Sequence, residues 1–281
     1  TLFSDTYYNL TAGNSSGIKT LGGAVTVDND LVINAGVTID VSSSDDYSIS
    51  VGGALENNGT FSAQDGMVTF NGSDNQIFTP GSSSYYNITL NNAGDDKLLT
   101  IAGDLEIDHD LTLTDGSLDL DTNDPAISIA GDLAISDGAV WTKGNGTATF
   151  DGVTQSMSDA NNTPNNLGDA LINSTQMTVT TDATFTSVQI SSASITIVSS
   201  SVSFIVNGAL TITGELEMAD GSVVDAGGDV TVAAAGILDM DGTSRLKMEG
   251  DLSFSGIMEA SATSRIDLDG GSAQTISGAP G

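Results

Sequence analysis

The amino-acid sequence predicts an all-β fold, a right-handed parallel β-helix (a β-solenoid) with coils of about 20–22 residues. Three observations lead to this fold class: repeats at that spacing, short runs of alternating apolar and polar residues, and turn residues between the runs. Alternation with a period of two is typical of strands, and no stretch has the periodicity of an amphipathic helix. We therefore expect one β-solenoid domain over residues 1–281.

The coil is visible as two pairs of matching segments that lie 20 residues apart near the C-terminus. Residues 236–239 match residues 256–259, and residues 243–246 match residues 263–266. A glycine followed by an alternating apolar run recurs at the same spacing, at Gly208, Gly228 and Gly250, and in several copies of Gly-Asp-Leu. Parallel strands need a crossover between them, and in a solenoid the other faces of the coil supply it.

The sequence also has a longer repeat that spans several coils, called a cassette below. Tyr-Tyr-Asn-Leu-Thr at residues 7–11 recurs as Tyr-Tyr-Asn-Ile-Thr at residues 85–89. A different set of segments, which resemble one another, ends at Gln76, Gln155 and Gln274. These marks predict three cassettes, at approximately residues 1–80, 81–160 and 161–281. Because Asn9 and Asn87 hold equivalent cassette positions, we expect them to share a structural role.

The two ends of the sequence look like halves of one cassette boundary. Residues 271–281 followed by residues 1–11 rebuild the junction seen at residues 71–89, with a few extra residues. Solenoids normally end in polar caps, and neither end resembles one. The pattern predicts head-to-tail stacking of copies, although a segment of a larger repetitive protein or simply frayed polar ends would also fit. The residues expected at this interface are Leu2, Phe3, Tyr7, Tyr8 and Leu10 at one end, and Gln274, Thr275, Ile276 and Pro280 at the other.

The charge balance excludes several classes of function. The chain has 37 acidic and 6 basic residues, too few basic side chains to replace the counterions of nucleic-acid phosphates. No run approaches the 18 apolar residues of a membrane span, so we expect none. There is no cysteine, and His109 is the one histidine, so neither a thiolate site nor a multi-histidine metal site can form. Catalysis is not expected.

Pairs of aspartates separated by one residue are expected to put two carboxylates on one strand face and are candidate calcium ligands. If stacked coils bring such pairs together, their carboxylates could form oxygen-rich Ca²⁺ sites; the alternative is a solvated acidic face. No cofactor is required by any motif, and Arg245 and Arg265 are expected to compensate charge locally. The aspartates considered for calcium are Asp108, Asp110, Asp239, Asp241, Asp267 and Asp269.

A glycine shortly ahead of a glutamine, then Tyr-Tyr-Asn-Leu-Thr, with repeated Gly-Asp-Leu-x-Ile, resembles large bacterial secreted surface proteins with parallel β-helical repeats, such as filamentous adhesins and autotransporter stalks. The resemblance implies an extracellular or cell-surface location and carries no catalytic residues. We expect a structural protein that polymerises with copies of itself into a filament or fibre. The alternative is an adhesin stalk that binds surface glycans, and a polysaccharide-active β-helix enzyme is the third possibility.

Overall fold

The computed structural model describes residues 1–13, 17–92 and 97–278 of the chain. These residues are all-β, without a helix, and their parallel strands stack as a β-solenoid of about 12 turns. The predicted fold class is therefore confirmed, while the right-handed winding stays a prediction. Nothing in the described ranges forms a helix long and apolar enough to span a membrane.

The chain divides into two compact units, Thr1–Gly146 and Thr147–Gly281, called unit 1 and unit 2 below. The boundary falls inside the predicted second cassette, which ends near residue 160. A single solenoid domain over the whole chain stays a prediction.

Unit 1 contains the first twenty strands of the described residues. In chain order they are β1 (Thr6–Tyr7), β2 (Leu10–Ala12), β3 (Gly17–Thr20), β4 (Val25–Val27), β5 (Leu31–Ile33), β6 (Val37–Asp40), β7 (Ile49–Val51), β8 (Leu55–Asn57), β9 (Thr60–Ser62), β10 (Met67–Phe70), β11 (Gln76–Thr79), β12 (Ser84–Tyr85), β13 (Asn87–Asn91), β14 (Leu98–Ile101), β15 (Leu105–Ile107), β16 (Leu111–Asp115), β17 (Ser117–Asp119), β18 (Ile127–Ile129), β19 (Leu133–Ile135) and β20 (Val140–Thr142).

Unit 2 contains the remaining strands of the described residues. They are β21 (Thr147–Phe150), β22 (Thr154–Asp159), β23 (Asp169–Ile172), β24 (Gln176–Val179), β25 (Ala183–Phe185), β26 (Ser187–Ile190), β27 (Ile195–Val198), β28 (Ser203–Val206), β29 (Leu210–Ile212), β30 (Glu215–Met218), β31 (Val223–Ala226), β32 (Val230–Val232), β33 (Ile237–Met240), β34 (Arg245–Met248), β35 (Leu252–Phe254), β36 (Ile257–Ala260), β37 (Arg265–Leu268) and β38 (Ile276–Gly278).

Three successive strands make one coil, because a strand pairs in parallel with the strand three places further along the chain. In unit 1 the sheets run β1-β4-β7-β10-β13-β16-β19, β2-β5-β8-β11-β14-β17-β20, β3-β6-β9 and β12-β15-β18. In unit 2 they run β22-β24-β27-β30-β33-β36, β21-β23-β26-β29-β32-β35-β38 and β25-β28-β31-β34-β37. One coil of unit 2 has two named strands instead of three. At the position of the missing strand, Asn166 forms only an isolated parallel bridge with Thr184.

Coil length varies more than the sequence repeats predicted. Hydrogen-bonded partners in adjacent coils are 18 residues apart at Asp169 and Ser187, and 24 residues apart at Asp251 and Thr275. The strands keep a nearly constant length of three to five residues in most coils. The variation therefore lies in the corners, which connect the three faces and can lengthen without disturbing the stacked strands.

The core is formed by the alternate residues of each strand that point inward. Typical strands such as β4 and β33 alternate between buried and partly exposed positions, which is the pattern that period-two alternation predicts. In unit 1 four aromatic rings pack in series, from Phe61 through Tyr85 and Phe78 to Phe70, with successive ring centroids 4.9 Å apart. Phe70, Phe78 and Tyr85 lie on the three strands of one coil and Phe61 on the last strand of the coil before, so the rings fill the interior of one coil and reach into its neighbour.

Candidate assembly edges and acidic sites

The head edge consists of β1, β2 and β3, each of which is the outermost strand of its sheet in unit 1. The predicted interface residues at this end are all found in or beside it. Phe3 and Tyr8 are exposed, Leu2 and Tyr7 are half-buried, and Leu10 is buried. Strand β2 therefore points an apolar residue into the core while its outer side is unpaired among the described residues.

The tail edge consists of β36, β37 and β38, each of which is the outermost strand of its sheet in unit 2. Met258, Leu268 and Ile276 lie opposite buried residues of the preceding coil, so they occupy core-facing positions. Their exposed fractions are nevertheless 37%, 44% and 63%. Of these three, only Ile276 was predicted from the sequence. Stacking of coils explains the other two, because their positions match buried residues one coil earlier.

The remaining predicted residues of this end lie at the last corner. Gln274 and Thr275 precede β38, and the Thr275 amide donates to Asp251 Oδ1 at 2.7 Å. Pro280 lies outside the described residues. The last corner is thus bonded to the coil before it, and β38 is the final strand of the described chain.

The cassette glutamines act as clamps between a corner and the preceding coil. The Gln76 side chain is buried; its Oε1 accepts the Gly72 amide at 3.3 Å, and its Nε2 donates to the carbonyls of Val51 at 2.9 Å and Gly53 at 2.7 Å. Gln155 makes the first of these contacts with Gly152, at 2.9 Å. One side chain therefore hydrogen-bonds backbone groups of a corner and of the preceding coil together.

Gln274 reproduces the same clamp at the tail edge. Its Oε1 accepts the Gly270 amide at 3.1 Å, and its Nε2 donates to the carbonyls of Met248 at 2.9 Å and Gly250 at 2.8 Å. Two residues further on, Ile276 occupies the position that Phe78 holds after Gln76. Phe78, which has a coil on either side, is 0% exposed, whereas Ile276 is 63% exposed.

Asn9 and Asn87 also play the same part in their cassettes. Asn9 Oδ1 accepts the backbone amide of Asp30 at 3.1 Å, and Asn87 Oδ1 accepts that of Asp110 at 3.2 Å. His109 Nδ1 lies 3.0 Å from Asn87 Oδ1 in the second case. The prediction of a shared structural role for the two asparagines is confirmed by these matching contacts.

These asparagines belong to a wider pattern that the sequence did not reveal, which we call the aspartate relay. At many corners the Oδ1 atom of an aspartate or asparagine accepts the backbone amide of a residue in the next coil. The relay pairs include Asn9 to Asp30, Asp30 to Ala54, Asp46 to Asp65, Asn75 to Leu98, Asn87 to Asp110, Asp110 to Asp132, Asp104 to Ala126, Asp124 to Asn145, Asp182 to Ser203, Asp220 to Thr243, Asp229 to Asp251, and Asp251 to Thr275. A carboxylate acceptor makes such a bond stronger than a neutral one. The recurring Gly-Asp-Leu motif of the sequence supplies aspartates of this relay.

The first aspartates considered for calcium lie at a corner rather than on a strand face. Asp108 and Asp110 are in the corner between β15 and β16. Ser84 Oγ donates to Asp108 at 2.6 Å, and the Asp132 amide donates to Asp110 at 2.8 Å. His109 Nδ1 also lies 3.2 Å from Asp110 Oδ1. Both carboxylates therefore already accept hydrogen bonds from the protein.

Asp239 belongs to an acid ladder, defined as Glu217, Asp239 and Glu259 on β30, β33 and β36. The three residues are directly opposite one another in successive coils, and Asp241 follows at the end of β33. Burial raises the pKa of Glu217, and the nearby Asp239 carboxylate raises it further. Burial also raises the pKa of Asp239, with further contributions from Asp241 and Glu259. Like charges directly opposite in a sheet are destabilising.

Asp267 and Asp269 are paired with basic side chains. Arg245 Nε donates to Asp267 Oδ2 at 3.0 Å, Arg265 Nε lies 3.5 Å from the same oxygen, and Lys247 Nζ lies 3.8 Å from Asp269. The Arg245 hydrogen bond holds the pKa of Asp267 below its usual range. The arginines thus compensate charge locally, as the sequence indicated.

Three or more side chains of the kind that could hold a metal ion do not come together anywhere in the described ranges. The proposed calcium ligands are therefore distributed over separate corners and strands. Binding of calcium stays a prediction.

No protein-family model, curated protein or solved structure matches this chain. Its class rests on the architecture: a parallel β-solenoid repeat protein, in which adjacent coils contact one another through stacked strands, with glutamine clamps and relay bonds at some of the corners.

Proposed function

We propose that this chain is a structural protein, an extracellular β-solenoid subunit that joins head to tail with copies of itself into a surface filament or fibre. The extracellular location is supported by the resemblance to secreted surface repeats and by a composition rich in Gly, Ser, Thr, Asn and Asp.

The exposure of core-facing residues at the tail edge carries this proposal. Ile276 and Phe78 follow equivalent glutamine clamps, yet only Ile276 is open to solvent. Unpaired strand edges that present apolar residues are templates for pairing with another chain. Covering the tail edge with another coil would pair the outer sides of β36, β37 and β38 and would bury Met258, Leu268 and Ile276.

The distribution of charge favours contact at the head edge. The chain carries a formal net charge of −31, so copies repel one another at long range. The first 27 residues nevertheless contain only Asp5 and Lys19 as charged side chains. Lys19 is the one charged side chain in β1, β2 and β3, so these strands place no carboxylate of their own opposite a second acidic copy.

A stalk segment of a large surface adhesin is the second candidate, because the same edges would accept further coils of one longer chain. In that arrangement the tail edge is covered by the chain's own continuation, and a glycan- or surface-binding region would lie elsewhere in the protein. The isolated chain would then remain monomeric.

The two candidates are separated by light scattering and negative-stain microscopy of the purified chain, with and without calcium. Ile276→Lys places a charge at the tail edge. Ile77→Lys is the matched control, because Ile77 is 53% exposed on β11, a strand that is paired on both sides. Both substitutions change the net charge equally.

We expect multimers that grow with concentration for the unchanged chain and for Ile77→Lys, and monomers for Ile276→Lys with an unchanged circular dichroism spectrum. Multimers of Ile276→Lys would overturn the proposed role of the tail edge. An unchanged chain that stays monomeric at every concentration and at physiological salt would overturn self-assembly and favour the stalk.

A further inference from the structure

We infer that the junction between two copies continues the coil without interruption, so that β36, β37 and β38 of one copy pair in parallel with β1, β2 and β3 of the next copy. This inference rests on the proposed function and specifies its partner surface: a second copy of this chain, in one register.

The pairing rule inside each unit determines the partners. Throughout β1 to β20, and from β24 onward, each paired strand is three places from its neighbour. A strand that followed β38 would therefore pair with β36, the next with β37, and the third with β38. The first three strands of a second copy supply that series.

The order of motifs at an internal junction agrees with this series. In unit 1 the clamp residue Gln76 begins β11, and the next strand, β12, carries Tyr85. At the proposed junction the clamp residue Gln274 is followed by β38, and the next strand is β1 of the second copy, which carries Tyr7. Tyr85 is fully buried whereas Tyr7 is half-buried, as expected if Tyr7 lacks the coil that would lie beneath it.

The register is fixed most clearly between β37 and β2. Ile266 and Leu268 are core-facing because they lie opposite buried residues of β34, and Leu10 and Ala12 are core-facing because they lie opposite buried residues of β5. Pairing both core-facing residues of β2 with the two of β37 places Leu10 over Ile266 and Ala12 over Leu268. A shift by one residue would turn every side chain to the wrong face.

The β38–β3 pair adds a steric condition. Lys19 lies opposite the buried Ile39, so it occupies a core-facing position at the head edge. An inward-pointing charge on an edge strand discourages indiscriminate pairing. Leu2 already forms a parallel bridge with Leu21, and its amide donates to the Thr20 carbonyl at 2.9 Å, so only the earlier part of β3 is open to β38. Matching the core-facing Ile276 with Gly17 in that part places Gly278 opposite Lys19, and Gly278 has no side chain to obstruct the lysine stem. The apolar contacts of the junction are therefore concentrated on β36 and β37.

The register also places Thr11 beside Asp267, which are the outward-facing residues at the centres of β2 and β37. Neighbouring strands are about 4.8 Å apart, and Cα atoms about 4.4–6.8 Å apart can be joined by a disulfide. The chain has no cysteine, so introduced thiols are the only ones present.

The experiment mixes a Thr11→Cys chain with an Asp267→Cys chain and adds oxidised glutathione. Each protein disulfide takes two thiols, whose two electrons and two protons reduce one oxidised glutathione to two reduced molecules. Arg265→Cys replaces Asp267→Cys in the control, because Arg265 faces outward two residues away and belongs to the same ion-pair network. Covalent dimers are counted on non-reducing gels, and light scattering verifies that each single variant still assembles.

We expect a several-fold higher yield of the Thr11–Asp267 dimer than of the Thr11–Arg265 dimer. Equal or reversed yields from intact multimers would overturn the inferred register while leaving head-to-tail assembly in place. Absence of non-covalent multimers from the unchanged chain would overturn the inference together with the proposed function.

Discussion

The glutamine clamp allows one interaction to be tested in two environments within the same chain. Gln76→Met removes a buried amide and leaves a side chain of similar length. Gln274→Met makes the same change at the tail edge, where the clamp has the same set of partners but is half-exposed. The difference between the two variants isolates the effect of burial.

The expected cost of Gln76→Met follows from the bonds that are lost. Gly72 keeps a second acceptor, Asn92 Oδ1 at 3.0 Å, and the Val51 carbonyl keeps the Asn71 amide at 3.1 Å. The Gly53 carbonyl loses the donor at 2.7 Å. Two weakened bonds and one buried acceptor without its donor amount to about 2–4 kcal/mol, whereas water can replace the lost bonds of Gln274→Met and limit its cost to about 1 kcal/mol.

Urea unfolding measures both costs. Trp141 is the only tryptophan, is buried and lies in unit 1, so its fluorescence follows the unit that contains Gln76. Circular dichroism follows the β structure of both units and reports on Gln274→Met. A loss for Gln76→Met no larger than that for Gln274→Met would refute the reasoning, because burial would then contribute nothing to the clamp.

Three further predictions concern the core, the acid ladder and the relay. Phe78→Ala should lower the free energy of unfolding by about 3–5 kcal/mol, whereas Ile276→Ala should change that of the monomer little, because solvent already reaches this side chain; a similar loss for both would be contrary to the structure. Glu217→Gln should stabilise unit 2 at pH 7 by about 0.2–1 kcal/mol, the range for cross-strand pairs. Folding raises the pKa of Glu217, so the native carboxyl favours folding below its ordinary pKa and loses this effect as the pH rises through the raised value. The benefit of Gln should therefore vanish in acid, and unfolding curves at pH 7 and pH 4 check this. The hydrogen bond from the Thr243 amide lowers the pKa of Asp220, so this bond is complete above the ordinary pKa and is lost as the pH falls through the lowered pKa. Asp220→Ala should therefore speed hydrogen exchange of the Thr243 amide at neutral pH. An unchanged exchange rate would count against the relay.

The fold could be predicted from the sequence because each coil needs buried apolar residues at the same positions, so the same pattern recurs along the chain. Matches such as residues 236–239 with residues 256–259 correspond to strands β33 and β36, which lie directly opposite each other. The cassette glutamines were recognised as markers, but their hydrogen bonds were not, because the acceptors come from the coil before. A contact between residues 23 to 26 positions apart leaves no local pattern in the sequence.

The acidic pairs show why the candidate sites were harder to predict. Alternation placed Asp108 and Asp110 on one strand face, but the chain turns a corner there, and the two carboxylates have different partners. Period-two alternation reports which residues share a face only while the strand continues, and it does not mark where a short strand ends. Likewise, Met258 and Leu268 look like ordinary core residues until the absence of a following described coil exposes them.

The architecture of the corners accounts for part of the acidic composition. Each coil has corner amides that face the previous coil, and an aspartate placed one coil earlier can accept such a hydrogen bond, as Asp229 does for Asp251 and Asp251 for Thr275. Repeating this device along the chain accumulates negative charge in proportion to the number of coils. The acid ladder differs, because Glu217 and Asp239 face each other across β30 and β33 with no relay bond between them. A junction that places the nearly neutral head edge after Glu259 ends that ladder, whereas a further acidic coil would extend its repulsion, so the charge pattern and the apolar edge favour the same partner.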